Sequence, residues 1–261
     1  MIILYIGDVM GEPGIRVVEQ ALSQYVGKVD LIVAQAENVS GGKGMTPADM
    51  ERLQAAGVQF FTGGNHTPAE PALRSFLEDE SKPVIGPANM PDCPGTGYKY
   101  IDTTAGKVLV VSLLGATVGR AVESTNPLAK IDRILDEART DERVATIVNF
   151  HGDYSSEKRV IGYYLDGRAS LVAGDHWHVP TADAMVLPKG TAHISDVGMC
   201  GTVHSSLGVK TDIIISRWRD GKVNTNVLET AGPLQFNAVL ADIDESTGLA
   251  RGIKHLQHIF D

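Results

Sequence analysis

The chain has 261 residues, of which 43% are hydrophobic and 21% charged, a composition typical of an ordinary globular protein. Lysine and arginine number 23 against 32 aspartates and glutamates, so the formal net charge is −9 at pH 7. This acidic balance argues against a nonspecific nucleic-acid binder, because neutralising phosphates requires clustered basic side chains. The two cysteines, Cys93 and Cys200, exclude a disulfide framework and a cysteine-based zinc site, and we expect both to be small buried apolar side chains.

Export and membrane signals are not evident in the sequence. The apolar run at the N-terminus stops at Gly7 and is too short for the apolar core of a signal peptide. The longest apolar stretch, residues 108–118, is interrupted by Ser112 and Gly115 and is too short to span a bilayer. We therefore expect a cytoplasmic protein that does not act at a membrane.

The first third of the chain predicts repeated units of strand, loop and helix, because short apolar runs alternate with segments of helical spacing. Thr46-Pro47 is a good N-cap and first helical position, and Gly57 is a suitable end for that helix. In chain order the predicted elements are a strand at 2–6, a helix at 15–25, a strand at 31–34, a helix at 46–57, a strand at 60–62 and a helix at 68–77.

The remainder of the chain is richer in predicted strands. Its predicted elements are a hairpin of strands at 98–103 and 108–114, a helix at 127–139, a buried strand at 144–150, and strands at 171–173, 184–187, 223–229 and 239–243. Alternating units followed by strand-rich sequence predict an α/β layered sandwich with two packed sheets. No repeat or long linker divides the sequence, so we expect a single domain over residues 1–261.

Polar side chains follow five of the predicted strands at the point where each strand ends. In open α/β sheets, ligands bind beyond the carboxyl ends of the strands. The residues expected to converge there are Asp8, Glu37, Asn38, Asn65, His66, His151, His176 and His178. Carboxylate oxygen and imidazole nitrogen together suit manganese, iron or zinc.

Each of these residues has an ordinary explanation when it is taken alone. Asp8 and Glu37-Asn38 are typical of turns, and an isolated histidine is commonly a hydrogen-bonded core residue. His176 and His178 carry more weight, because residues two apart in an extended segment point the same way. Eight such positions at successive strand ends favour one shared site.

Two glycine-rich loops allow other interpretations. Gly7, Gly11 and Gly14 suggest a dinucleotide-binding loop, but their spacing is not the Gly-x-Gly-x-x-Gly of that motif. In addition, Asp8 would place a negative charge where the pyrophosphate must lie. The loop at residues 40–44 has two possible interpretations. Its backbone amides could approach a phosphate oxygen, or its glycines could serve only a turn with positive φ.

Taken together, the strand-end residues resemble those of calcineurin-like metallophosphoesterases, and more closely the YmdB-type branch of 2′,3′-cyclic-nucleotide phosphodiesterases. The resemblance runs from the first residues to about residue 244. Its motifs are Gly7-Asp8, Glu37-Asn38, Gly64-Asn65-His66-Thr67, His151, His176-Trp177-His178, Pro87-Ala88-Asn89, Ser156-Glu157-Lys158, and residues 187–190 and 195–199. Two positions depart from the broad superfamily and agree with the branch: Met10 replaces a histidine, and Glu37 replaces an aspartate.

The resemblance implies a layered αββα sandwich, two mixed β-sheets flanked by helices, with two divalent or trivalent metal ions per chain, iron or else manganese. One ion would be held by Asp8, Glu37, Asn38 and His178, and the other by Glu37, Asn65, His151 and His176. Glu37 would then bridge the two ions. The resemblance further implies hydrolysis of a small phosphodiester, a 2′,3′-cyclic nucleotide, through attack by a metal-bridging hydroxide. His66 would be the general acid for the departing ribose oxygen.

Other functions remain open at this point. The same site could act on a phosphomonoester or a nucleic-acid strand, or the protein could be a non-catalytic, metal-dependent nucleotide sensor. His66 beside Asn65 favours an enzyme, because a pure binding site needs no proton donor. No substrate-binding residue is identified; Lys43 and Lys158 could pair with a substrate phosphate, but we expect both to be solvated charges. The expected partners are a small phosphodiester or nucleotide substrate and further copies of the chain in a homo-oligomer, with no stable nucleic-acid partner.

Overall fold

A computed structural model describes residues 1–118 and 123–261 of the chain. In these ranges the strands are β1 (Ile2–Ile6), β2 (Asp8–Val9), β3 (Leu31–Gln35), β4 (Phe60–Thr62), β5 (Tyr98–Thr103), β6 (Gly106–Leu114), β7 (Ala145–His151), β8 (Leu171–Asp175), β9 (Met185–Val186), β10 (Ala192–Ile194), β11 (Met199–Thr202), β12 (Leu234–Asp244) and β13 (Leu249–Phe260). The α-helices there are α1 (Gly11–Leu22), α2 (Pro47–Ala56), α3 (Arg74–Glu78), α4 (Pro127–Glu137), α5 (Ser155–Tyr164) and α6 (Thr211–Asp220).

The strands form two mixed sheets. The first has the order β2-β11-β12-β1-β3-β4, with β13 paired to the other side of β12. Within it β1, β3 and β4 run parallel, while β12 is antiparallel to β1. The second sheet has the order β5-β6-β7-β8-β10-β9, with β6, β7, β8 and β10 parallel. The parallel strands of each sheet therefore present their carboxyl ends at one edge.

The two sheets pack face to face, and helices cover their outer faces. Alternate residues of a strand point to opposite faces, so Tyr5 of β1 packs in the cluster between the sheets, where Ile147 of β7 also lies. Leu4 instead packs outward among residues of α1 and α2. Val148 likewise packs outward against α4 and α5. This arrangement confirms the predicted αββα sandwich.

Several predicted elements differ from those observed. The predicted helix at 68–77 consists of two single 3-10 turns, Thr67–Ala69 and Pro71–Leu73, followed by α3. Pro68 and Pro71 explain the break, because proline lacks the N–H that a continuous helix requires. The first helix starts at Gly11 and ends at Leu22, earlier at both ends than the predicted 15–25.

The predicted strand at 223–229 is wrong. Among the described residues, this segment forms a single isolated bridge, between Val209 and Leu228. Val223 is completely exposed, so its apolar side chain does not mark a buried strand. The sequence analysis also missed α5, α6, β2, β10, β11 and β13.

Strand β13 escaped detection because it lies at the edge of the first sheet, where exposed polar side chains interrupt its apolar pattern. Its partner β12 holds it through a long antiparallel ladder that shifts register between Asp242 and Ile243. In the described ranges, no helix has both the length and the apolar character needed to cross a bilayer.

Candidate metal centre

The strand-end residues meet at the carboxyl ends of β1, β3, β4, β7 and β8. Asp8 follows β1, and Oδ2 of its side chain accepts a hydrogen bond from the backbone N–H of His176 at 3.3 Å. Oδ1 of Asp8 lies 3.9 Å from Nε2 of His178. Asp8, near the start of the chain, therefore contacts the loop that follows β8. Parallel strands place their carboxyl ends at the same edge, so the residues after β1 and β8 meet there.

Glu37 and Asn65 contact His151 on the other side of this group. Nε2 of His151 lies 3.2 Å from Oε1 of Glu37 and 2.9 Å from Oδ1 of Asn65. The rings of His151 and His176 stand edge to face, with centroids 4.5 Å apart. Donor atoms of Glu37, His151 and His176 all lie within 4.8 Å of one another, which is close enough for a single ion.

Asn38 is tied to its own loop rather than to the other candidate ligands. Its Nδ2 donates to the carbonyl oxygen of Gly42 at 3.0 Å. Its Oδ1 is buried without a hydrogen-bond partner among the described residues, and Oδ1 of Asp8 is in the same state. A buried oxygen that accepts no hydrogen bond carries a large desolvation cost, which a bound cation would relieve.

His151 is oriented by a residue that the sequence analysis missed. Asp175, the last residue of β8, accepts a hydrogen bond from Nδ1 of His151, and Asn149 donates to the other carboxylate oxygen of Asp175. Because Nδ1 of His151 carries the proton that it donates to Asp175, the orientation of the ring is fixed. Its Nε2 then faces the oxygens of Glu37 and Asn65, where either a proton or a cation can lie between them. This carboxylate–histidine pairing is typical of metal sites.

A second group of donor atoms supports the same interpretation. Asp8, His151 and Asp175 also place one donor atom each within 4.8 Å of one another. The sequence carried a signal for Asp175, since it stands directly before His176 at the end of a predicted strand. The donor set of carboxylate, amide oxygen and imidazole fits manganese, iron or zinc.

The charges of the cluster depend on burial and on the neighbouring groups. Burial would raise the pKa of Glu37, but His151 and the N–H of His66 outweigh it and lower that pKa to about 2. Burial lowers the pKa of His176 to about 3 and that of His178 to about 4. The carboxylate is therefore ionised and both imidazoles are neutral at pH 7, which are the forms that bind metals.

Two groups have pKa values shifted toward holding a proton. Burial, followed by the charge of Asp175, raises the pKa of Asp8 well above its usual range. Burial opposes protonation of His151, but Glu37 and Asp175 outweigh it and raise the pKa of the imidazole. Both directions are expected where several acidic groups surround a position suited to a cation.

The loop that carries His176 and His178 is not extended as predicted. His176 has φ of 97° and His178 has φ of 62°, and both values are unusual for residues other than glycine. Such conformations cost about 1–3 kcal/mol each and persist only where the surrounding structure enforces them. The two imidazoles therefore reach the site through a strained turn, and not through the alternation of a strand.

His66 is half-buried at the edge of the group. Its backbone N–H donates to Oε2 of Glu37 at 2.8 Å, which fixes the residue beside the candidate ligands. Nδ2 of Asn65 lies 3.4 Å from Nδ1 of His66, so Nε2 is the nitrogen that can carry a proton. Burial lowers the pKa of His66, although Glu37 opposes the shift.

The structure tests expectations about the glycine loop, two lysines and two cysteines. Gly41, Gly42 and Gly44 all have positive φ, which confirms the turn requirement for this loop. Lys43 is exposed as expected. Lys158, by contrast, is completely buried, so its expected role as a solvated charge is wrong. Cys93 and Cys200 are free and buried, as predicted.

Comparison with known proteins finds relatives over nearly the whole chain. The profile of the family described as YmdB-like protein matches residues 4–256. The 2′,3′-cyclic-nucleotide 2′-phosphodiesterase of Bacillus subtilis (strain 168) is 36% identical over 261 aligned residues, which cover 98% of this chain and 96% of the relative. The crystal structure of a hypothetical protein from Thermus thermophilus is 34% identical with a TM-score of 0.91, and 100% of each chain is covered. The crystal structure of a novel phosphatase from Mycoplasma pneumoniae is 28% identical with a TM-score of 0.92, covering 100% of this chain and 94% of that one.

Proposed function

The chain belongs to the YmdB-like protein family, and from this premise we propose that it is a metal-dependent phosphodiesterase of small phosphodiesters, 2′,3′-cyclic nucleotides in particular. The observation that carries this proposal is the convergence of Glu37, His151 and His176 within 4.8 Å, with His66 beside them. The relative from Bacillus subtilis is named for this class of substrate.

The metal centre is proposed to hold two ions, iron in the native protein with manganese as the alternative. One ion is assigned to Asp8, Glu37, Asn38 and His178, and the other to Glu37, Asn65, His151 and His176. The unpartnered oxygens of Asp8 and Asn38 fit this assignment, because each lacks a hydrogen bond that a cation would replace. When bound, such ions act as Lewis acids that lower the pKa of water and neutralise charge on a phosphoryl group.

His66 is assigned the proton-transfer step. Hydrolysis forms a bond between phosphorus and the oxygen of a water molecule and breaks the bond between phosphorus and one ribose oxygen, which needs a proton to leave as a hydroxyl. Nε2 of His66 supplies that proton, since Nδ1 faces Asn65. The acid form of His66 is the imidazolium, which burial disfavours and the neighbouring carboxylate of Glu37 favours.

Glu37 and Asp175 position the groups around this step. The carboxylate of Glu37 accepts the backbone N–H of His66 at 2.8 Å, so the proton donor and the candidate bridging ligand share one contact. Asp175 fixes which nitrogen of His151 faces the site, because it accepts the hydrogen bond from Nδ1.

The experiment that tests this function uses metal-stripped protein with 2′,3′-cyclic AMP, before and after addition of Mn²⁺ or anaerobic Fe²⁺. Turnover that requires metal is expected, and chromatography of the product would identify which ribose oxygen leaves. No turnover with either ion, despite confirmed binding of both, would contradict the cyclic-nucleotide assignment. Parallel reactions with 2′-AMP and single-stranded RNA test the phosphomonoesterase and nuclease alternatives.

The cellular setting is proposed on structural grounds as well. We propose a single domain over residues 1–261 and a cytoplasmic location, because the free thiols of Cys93 and Cys200 fit a reducing compartment.

A homo-oligomer is proposed from the surface of α6. None of the residues of α6 is buried, and Trp218 is 87% exposed. A ten-residue helix with no fully buried residue is marginal in water, so a second copy is proposed to cover it. Sedimentation of the wild type and of Trp218→Glu tests this: a wild-type monomer would contradict it, and dissociation of the variant is expected.

A further inference from the structure

Lys158 and Asp196 form a buried ion pair behind the candidate metal centre. Lys158 lies on α5 and Asp196 follows β10, and Nζ of the lysine lies 2.7 Å from Oδ2 of the aspartate. Both side chains are 0% exposed, so neither charge reaches solvent or a substrate. Any role of this pair is therefore exerted on the protein around it.

The pair holds the two peptide groups on either side of His176. Nζ of Lys158 donates to the carbonyl oxygen of Asp175, which belongs to the peptide group before His176. The N–H of Trp177, from the peptide group after His176, donates to Oδ2 of Asp196 at 2.9 Å. Because both flanking peptide planes are held, this ion pair restrains the backbone angles of His176, together with the hydrogen bond from the N–H of His176 to Asp8.

Further contacts extend the same restraint toward His178. Nζ of Lys158 lies 4.4 Å from the centroid of the Trp177 ring, which separates the two histidines. Oδ1 of Asp196 accepts the N–H of Gly198 at 2.9 Å, and the next residue, Met199, donates to the carbonyl oxygen of His178 at 3.2 Å. The loop from Asp175 to His178 is thus fastened at both ends.

This restraint accounts for the unusual backbone of the loop. His176 and His178 have positive φ, which residues other than glycine do not adopt without support from their surroundings. A buried ion pair is a weak source of stability, because apolar replacements of similar volume are often tolerated equally well. Its specific contacts are with the loop from Asp175 to His178, here called the histidine loop. These contacts indicate that the pair holds the backbone geometry of that loop.

We propose that Lys158 and Asp196 are positioning residues that hold His176 and His178 in the geometry that binds metal. This inference rests on the metal centre of the proposed function and is independent of the substrate. Neither residue touches reacting atoms, so the effect of losing the pair falls on metal affinity and on the coordination geometry.

The test compares wild-type protein with the double variant Lys158→Met/Asp196→Asn, which removes both charges and leaves no unpaired buried charge. Metal-stripped proteins are titrated with Mn²⁺, and free Mn²⁺ is followed by electron paramagnetic resonance. We expect affinity to fall by about 10–100-fold, the usual effect of losing groups that orient ligands. The visible absorption of the Co²⁺-loaded protein should also change, because it reports ligand geometry.

The matched control is Arg159→Met, which removes the neighbouring charge on the same helix. Arg159 pairs with Asp183 at 3.0 Å and is partly exposed. Wild-type Mn²⁺ affinity and an unchanged Co²⁺ spectrum are expected for this control.

Wild-type affinity and spectrum in the double variant would overturn the proposal. A double variant that fails to fold, shown by loss of near-ultraviolet circular dichroism, would also overturn it, because the pair would then serve the fold itself. The single variant Lys158→Met leaves Asp196 unpaired and is expected to be less stable than the double variant. Absence of cyclic-nucleotide hydrolysis by the wild type would count against the proposed substrate and leave the affinity comparison intact.

Discussion

Asp175 accepts a hydrogen bond from Nδ1 of His151, and both residues are the last of neighbouring parallel strands. The register pairs them directly, so the strand ends themselves orient the imidazole. The other ring nitrogen consequently faces Asn65 and Glu37. The imidazole of His151 therefore contacts Asp175, Asn65 and Glu37 at the same time.

The first prediction concerns Asp175. Asp175→Asn removes the negative charge and permits the wrong orientation of His151, so we expect Mn²⁺ affinity to fall by about 10–100-fold. Titration of metal-stripped protein measures this change. The control is Asp132→Asn, which removes an exposed carboxylate that pairs with Arg168 at 2.6 Å. Unchanged affinity in Asp175→Asn would show that His151 does not need this partner.

A second prediction separates proton donation by His66 from metal binding. His66→Ala should retain both ions and lose about 10²–10⁴-fold in turnover of 2′,3′-cyclic AMP, the usual contribution of a general acid. The loss should be much smaller with bis(p-nitrophenyl) phosphate, because p-nitrophenolate leaves without protonation. His258→Ala, on the edge strand β13, serves as the control. Equal losses on both substrates would mean that His66 is not the acid.

The third prediction uses the close packing at Gly64. A Cβ at this position would lie closest to Oε2 of Glu37 and 2.6 Å from ring atoms of His151, so Gly64→Ala must displace the carboxylate, the imidazole or both. We expect a loss of about 1–3 kcal/mol in the free energy of unfolding, together with reduced metal content. Urea unfolding and metal analysis measure the two effects.

The matched control for Gly64 is Gly252→Ala on β13, where a Cβ would meet no atom within 4 Å among the described residues. That variant should keep wild-type stability and metal content. Normal metal content in Gly64→Ala would contradict the placement of Glu37 and His151 at the centre.

A fourth prediction concerns the pH dependence of stability at Asp183. Burial would raise the pKa of this carboxyl, but hydrogen bonds from Ser195 and Thr181 outweigh it and lower the pKa to about 2. A lowered folded-state pKa adds stability above the unfolded value of about 4, and this stability is lost as pH falls toward 2. Since the carboxyl is partly exposed, the contribution is about 1–2 kcal/mol.

Asp183→Asn tests this directly through urea unfolding at pH 6, 4 and 3. The stability difference from the wild type should be largest at pH 6 and smaller at pH 3. Ser195→Ala removes one donor, whose Oγ lies 2.6 Å from Oδ2 of Asp183, and should give a smaller change of the same sign. A difference that is constant across these pH values would contradict the assignment.

The sequence by itself was sufficient for the layered fold and for the group of strand-end residues. Short apolar runs bounded by glycines are local signals, and the residue after each run marks the strand end, as at Asp8, Glu37 and Asn65. Periodicity failed where exposure or proline interrupts it, as in β13 and in the segment after His66. Val223 shows the opposite error, because an apolar side chain there is fully exposed.

Only the tertiary structure decided how the histidine loop is held. Lys158 and Asp196 are 38 positions apart, and their contact depends on α5 packing behind β8 and on the pairing of β10 with β8. A lysine in a polar helix carries the same local pattern whether it is solvated or buried. The positive φ angles of His176 and His178 are also held by this packing, since residues other than glycine rarely adopt them without such support. Long-range contacts therefore determine the geometry of the candidate metal ligands, while local sequence patterns determine which residues lie at the strand ends.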